Sequence, residues 1–187
     1  MNDKNKNYNS TILTMTMAII ALLLLPHNGS AQTASYSQFT QYKKAGLSIS
    51  LPKELSRLTD EKHSYEMGTL ETYTAVHETR SVLIKHFRVS PDMKFTPTQS
   101  ADVQEKDIKN QPRYSSSRKK VSINGINGLV LVMKHEPMAG TKVSQTVLYF
   151  EKGNEMWEVQ IFGVKEPNAA SLEAMKTKIF KSIKINK

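Results

Sequence analysis

The chain contains no cysteine. That excludes disulfides, thiolate metal ligands, a cysteine nucleophile and a lipid-modified cysteine behind a leader. Packing alone must hold the fold. Aromatic residues are also sparse, with a single Trp among 187 residues. The chemistry signatures are missing too. There is no H-E-x-x-H pair for zinc, no G-x-S-x-G nucleophile turn and no G-x-G-x-x-G phosphate cradle. No catalytic residue, cofactor site or metal site is assigned on sequence grounds, and no cofactor is expected.

Long apolar runs are scarce as well. The run Ile12–Leu25 is interrupted only by Thr14 and Thr16. It is shorter than the roughly 20 residues a membrane helix needs. Lys4 and Lys6 precede it, Pro26 ends it, and the small residues Gly29 and Ala31 follow. Basic, apolar and small-residue regions in that order describe a secretory signal. Residues 1–31 are read as a signal peptide, cut between Ala31 and Gln32, with retention as an N-terminal anchor as the alternative. Export to the periplasm or the exterior is expected, with no stable membrane span after processing.

What is abundant is positive charge. Lys and Arg number 26 against 17 Asp and Glu, for a net +9. The leader holds Lys4, Lys6 and Asp3, so its removal leaves a net +8 of that +9. An exported chain has little occasion to meet nucleic acid, and no basic stretch is interleaved with base-stacking aromatics. An envelope protein or an anionic surface component is the expected partner class. Arg118-Lys119-Lys120 is the candidate contact patch. The oligomeric state is not legible.

Residues 32–38 read as a flexible start and 39–187 as one α/β domain. Phe39–Tyr42 and Leu47–Leu51 read as two strands around a Lys43-Lys44-Ala45-Gly46 turn. Leu47, Ile49 and Leu51 alternate with serines, the period of a half-buried strand. Residues 53–69 give no clear pattern. Glu71–Glu78 and Ser81–Ser90 read as a hairpin around Thr79-Arg80. That register sets Val76 beside Leu83, Thr72 beside Phe87, Glu71 beside Arg88 and Tyr73 beside His86. Thr96-Pro97-Thr98-Gln99 is a helix start with a capping Thr, and the helix runs to about Asn110. Its few apolar residues, Ala101, Val103 and Ile108, imply light packing on the surface.

Arg113–Lys120 reads as a polar, basic loop leading into a strand at Val121. Asn124-Gly125 supplies the positive φ angles of a tight hairpin turn. Leu129–Met133, apolar throughout, reads as a strand covered on both faces. The clearest hairpin places Lys142–Lys152 and Glu155–Gly163 around Gly153-Asn154. It sets Phe150 beside Trp157, Leu148 beside Val159 and Thr146 beside Ile161. Tyr149 beside Glu158 and Val147 beside Gln160 make its other face. A one-residue slip would scramble that separation. The Phe150/Trp157 side is expected to stack on a C-terminal helix. That helix is capped by Asn168 and carries Leu172, Met175, Ile179 and Ile183 at helical spacing. Lys176, Lys178, Lys181 and Lys184 are assigned to its surface, and Ile183-Lys184-Ile185 to a short final strand.

Gly46-Leu-Ser-Ile-Ser-Leu-Pro52 opens a series of segments, and Ile123-Asn-Gly-Ile-Asn-Gly128 stands before an apolar strand. Tyr149-Phe-Glu-Lys-Gly-Asn-Glu-Met-Trp157 and Ile179-Phe-Lys-Ser-Ile-Lys-Ile185 complete the series. In this order and spacing the chain, over about 39–185, resembles the PsbP-like family. That fold is shared with bacterial DcrB-type exported proteins and with the Ran-binding nuclear import factor. The resemblance implies an α+β domain: a single antiparallel sheet of about six or seven strands with helices packed on both faces. It also implies an accessory or binding role rather than catalysis. Residues 53–70 and 91–118 match nothing specific in the family.

Among the histidines, His77-Glu78 and His135-Glu136 suggest metal pairs, but neighbouring strand residues point to opposite faces. Glu155 and Glu158 flank Trp157, a combination met in sugar-binding clefts. Three functions follow. The first is a non-enzymatic exported accessory or binding protein. The second is a hydrolase-type enzyme using His77, His86 and nearby carboxylates, which requires those groups to converge. The third is a carrier of a small apolar ligand, which requires an aliphatic cavity of several hundred Å³ between sheet and helix.

Overall fold

The computed structural model describes residues 36–44, 46–55, 57–65, 68–90, 96–165 and 168–186. The leader and its Ala31/Gln32 junction lie outside these residues. No helix among them is long and apolar enough to cross a membrane.

The described residues are α+β, with ten strands, one turn of 3₁₀ helix and two α-helices. A seven-stranded antiparallel sheet is formed by β3 (Thr59–Tyr65), β4 (Gly68–His77), β5 (Arg80–Val89) and β9 (Glu155–Val164). It continues through β8 (Thr141–Lys152) and β7 (Ile126–Met138) to β6 (Ser115–Ile123), in that spatial order. A separate three-stranded sheet joins β1 (Phe39–Lys44), β2 (Leu47–Pro52) and β10 (Lys184–Ile185), with β2 in the middle. The helices are α1 (Pro97–Ile108) and α2 (Ala169–Ser182).

The β8–β9 hairpin has the expected register, including Phe150 opposite Trp157 and Tyr149 opposite Glu158. Its apolar face is one wall of the main core. Leu148, Phe150, Trp157, Val159 and Ile161 pack there with Leu47, Ile49 and Leu51 of β2 and with Leu172, Met175 and Ile179 of α2. One sheet flanked by helices is therefore corrected. The layer over Trp157 is a second sheet together with α2, because the alternating Leu47/Ile49/Leu51 row presents its own apolar face. Across the large sheet, Ala101 and Ile108 of α1 pack with Leu131, Met133, Val147 and Tyr149.

Helix α1 begins as expected. Thr96 and Gln99 form a reciprocal capping box, and Pro97 occupies the first turn. Asn168 caps α2 by accepting the Ser171 N–H at 2.9 Å. Asn124 and Gly125 take φ values of 51° and 78°, the paired positive angles of a primed turn. Gly128 lies against β8, and a Cβ there would sit 2.6 Å from the Tyr149 carbonyl oxygen.

Four local expectations are corrected. The β4–β5 turn is Glu78-Thr79, with Glu78 at φ 50°, so partners move by two positions. Glu71 now faces His86, Thr72 faces Lys85, Tyr73 faces Ile84 and Val76 faces Ser81. A shift of two keeps every side chain on its expected face. Arg80 is drawn into the strand because its guanidinium stacks 4.3 Å over the Tyr36 ring. Second, Ser115–Lys120 is strand rather than loop. Third, Thr59–Tyr65, in a stretch without a readable pattern, is strand β3. Fourth, Lys176 is not on the surface. It is 3% exposed, with Nζ 2.7 Å from Glu173 and 3.5 Å from the Ser144 hydroxyl.

Candidate functional site

Three places gather polar chemistry. On the main-core face, the His86 ring stacks on Trp157 with centroids 4.8 Å apart and planes at 4°. Trp157 in turn stacks on Phe150 at 5.4 Å. Glu71 and Glu155 lie 3.8 and 3.7 Å from the His86 nitrogens. Burial lowers the His86 pKa, and Glu155 opposes that only in part. Burial also pushes the Glu71 carboxyl up. Hydrogen bonds from Lys62 and Tyr73, with the charges of Lys62 and His86, outweigh it and leave Glu71 below the usual range. His86 is 1% exposed and Trp157 is 0% exposed. Glu155, with its side chain 35% exposed, is the member of the cluster that reaches the surface.

His77 does not join it. It sits six residues along β4 from Glu71, roughly 20 Å away, and its Nδ1 lies 3.4 Å from the Tyr36 hydroxyl. The convergence a His/carboxylate hydrolase requires is therefore not formed. Glu155 shares a strand face with Trp157, but Glu158 lies on the other face and cannot act with it. Glu78 stands in a turn, so the alternation argument does not reach it. His135 and Glu136 are both buried, with Glu136 inside the irregularity of β7 between His135 and Met138, where strand alternation does not hold. Among the described residues no cluster of three or more His, Asp or Glu is placed to hold a metal ion.

The second place lies beneath α1. One row crosses the sheet there from Thr72 through Lys85, Glu158, Tyr149 and Leu129 to Lys120. Lys85, 0% exposed, pairs with Glu158 at 3.4 Å. Gln160 donates to Glu158 at 3.0 Å, and Gln145 donates to Gln160 at 2.9 Å. The Tyr149 hydroxyl donates to Gln104 of α1. Burial, reinforced by the Glu158 charge, holds the Tyr149 pKa well above its ordinary value. Sequence reading placed Glu158 and Gln160 on this face but missed Lys85, since pairing of β5 with β9 joins strands far apart in the chain.

The third place is open. A groove of about 790 Å³ lies where the β6–β7 turn, the β8–β9 turn and the start of α1 meet. Thr96, Pro97 and Thr98 form one wall. Val121, Ile126, Leu129 and Ile185 supply apolar lining, and Lys120, Lys152 and Glu151 supply charge. The groove rests on a pinned turn. The Asn124 amide donates to the carbonyls of Lys181 and Ile183 at 2.9 and 2.8 Å, tying the β6–β7 turn to the end of α2.

The predicted patch stands beside this groove but does not act as a unit. Arg118 binds Asp102 at 2.7 Å and also Glu105, so its charge is committed to α1. Those contacts draw the Glu105 carboxyl below its ordinary range against the opposing effect of burial. Lys119 and Lys120 are exposed, on opposite faces of β6. One aliphatic void among the described residues, lined by Ile123, Ile126, Gly128, Leu148, Phe150 and Ile183, holds about 10 Å³. That is far too small for an apolar cargo.

The architecture is that of a PsbP-like domain. In particular, the chain is similar to cyanobacterial PsbP from Synechocystis. The two are 8% identical, with a TM-score of 0.51, over 84% of this chain and 98% of that one. It is also similar to LpqN of Mycobacterium tuberculosis, described as involved in cell envelope biogenesis. That match is 12% identical with a TM-score of 0.45, over 80% of this chain and 91% of that one. A Pseudomonas aeruginosa protein of unknown function gives 12% identity and a TM-score of 0.40, over 75% of this chain and 90% of that one. No family model matches the chain. No curated protein matches it either.

Proposed function

We propose that the chain is an exported, non-enzymatic accessory protein of the cell envelope, which binds another macromolecule through the basic groove at the β6 end of the large sheet. The observation that carries this reading is the groove itself. It is open, half apolar and lined by Lys120 and Lys152, with Lys119 next to it on the other face of β6, whereas the His86 and Lys85 side chains are buried by packing. Its walls are rigid, since Asn124 and the α1 capping box fix two of its sides. A preformed concave surface with a few charges suits recognition. The leader supports an address outside the cytoplasm. A net positive charge steers the protein towards an acidic partner.

Chemical crosslinking in the native envelope, read by mass spectrometry, tests this. Links from one partner should concentrate on Lys119, Lys120 and Lys152, and should be lost when all three are changed to Glu. Links concentrated on Lys44 and Lys62 would contradict the assignment, as would hydrolytic activity that disappears with His86.

A further inference from the structure

We propose that β6 accepts an extended acidic segment of a partner protein as an added strand of the large sheet. This names the partner chemistry for the groove and rests on the reading of that groove as the binding surface.

Strand β6 stands at the end of the sheet, paired only with β7 among the described residues. The two-residue turn makes Ile123 and Ile126 a hydrogen-bonded pair, and such pairs alternate along an antiparallel ladder. The backbone groups of Ser122, Lys120, Arg118 and Ser116 therefore point away from β7. Among the described residues, no backbone hydrogen bond beyond the ladder engages Ser115–Ile123. An edge of this kind is a template for strand addition.

Charge decides which strand is accepted. Both edges of the sheet are charged, which by itself discourages self-association. At β3 that charge is internally balanced. Asp60 pairs with Lys44, and Lys62 pairs with Glu71. At β6, Lys119 and Lys120 have no ion-pair partner among the described residues, and Lys152 stands across the groove. A second copy of β6 would place like charges opposite each other, which disfavours a homodimer through this edge. An acidic strand gains from the same lysines. Its side chains on the Lys120 face meet the groove, where Pro97 and Leu129 offer apolar lining.

Fluorescence anisotropy of a labelled peptide of alternating Glu and Val, added to the purified protein, tests this directly. It should bind, while the Lys and Val counterpart should not. Changing Lys119 and Lys120 to Glu should weaken binding at least about tenfold. Ser122→Pro removes one outward N–H and leaves the β7 ladder intact, so it should weaken binding by about tenfold at an unchanged melting temperature. N-methylation of the peptide's valines should have the same effect without altering the protein. If charge reversal abolishes binding while both Ser122→Pro and N-methylation leave it unchanged, strand addition is wrong and the basic groove stands. If the peptide fails to bind while the envelope crosslinks at Lys119, Lys120 and Lys152 persist, strand addition is again overturned and the groove retained. Failure of both experiments overturns both readings.

Discussion

Lys85 and Glu158 face each other across β5 and β9, with Lys85 wholly removed from solvent. Two charges taken out of water are tolerated only while each satisfies the other. Lys85→Ala should therefore destabilise the protein by about 3–5 kcal/mol. The double change Lys85→Met with Glu158→Gln keeps an acceptor for Gln160 and should restore most of that. Urea denaturation of the two variants checks the pair, and equal losses in both would show that the charges are not coupled. Histidine sets a second residue-scale expectation. Burial lowers the pKa of both His86 and His135 from an ordinary 6.5. The unfolded chain then binds more protons than the folded one below about pH 6.5, so stability should fall as pH drops through that range and be level above it. Thermal melts of His86→Phe, which keeps a ring against Trp157, should show a shallower fall. An unchanged slope would exclude His86 as a source. Neither buried group announces itself in the sequence. Lys85 sits in an alternating strand where a lysine ordinarily faces water, and only the pairing of β5 with β9 encloses it.

At the scale of elements, the legible parts are those whose information is local. The β8–β9 register followed from Gly153-Asn154 and the alternation around it, and the β6–β7 turn from Asn124-Gly125. The polar strands β3 and the first half of β6 were illegible. Thr-Asp-Glu-Lys-His and Ser-Ser-Ser-Arg-Lys-Lys carry no apolar period, because an edge strand exposed on both sides needs none. The groove shared that fate, since its walls come from five elements, α1, β6, β7, β8 and β10, that are spread along the chain. Asn124 ties the β6–β7 turn to the end of α2. Asn124→Ala removes two hydrogen bonds to the end of α2 and places a side chain less suited to φ 51°. It should cost about 1–3 kcal/mol. Hydrogen exchange should quicken at Val121–Leu129 and in the last turn of α2 together. Loss of protection at only one of them would mean the clamp does not couple the elements.

At the scale of the molecule, His86 and Lys85 are buried and one basic end is open. Phe150, Trp157 and the β2 leucines close the His86 face, and α1 lies over the Lys85 face. Attraction between the exposed lysines and an acidic partner is screened by salt, so affinity should fall as ionic strength rises. The most direct measurement is a photocrosslinking scan in cells, with a photoreactive residue placed at Lys120, at Lys62 on the opposite edge, and at Glu155 beside His86. A discrete adduct from position 120, absent at 62 and 155, is the predicted result. An adduct formed from Glu155 or Lys62 but not from Lys120 would contradict the account.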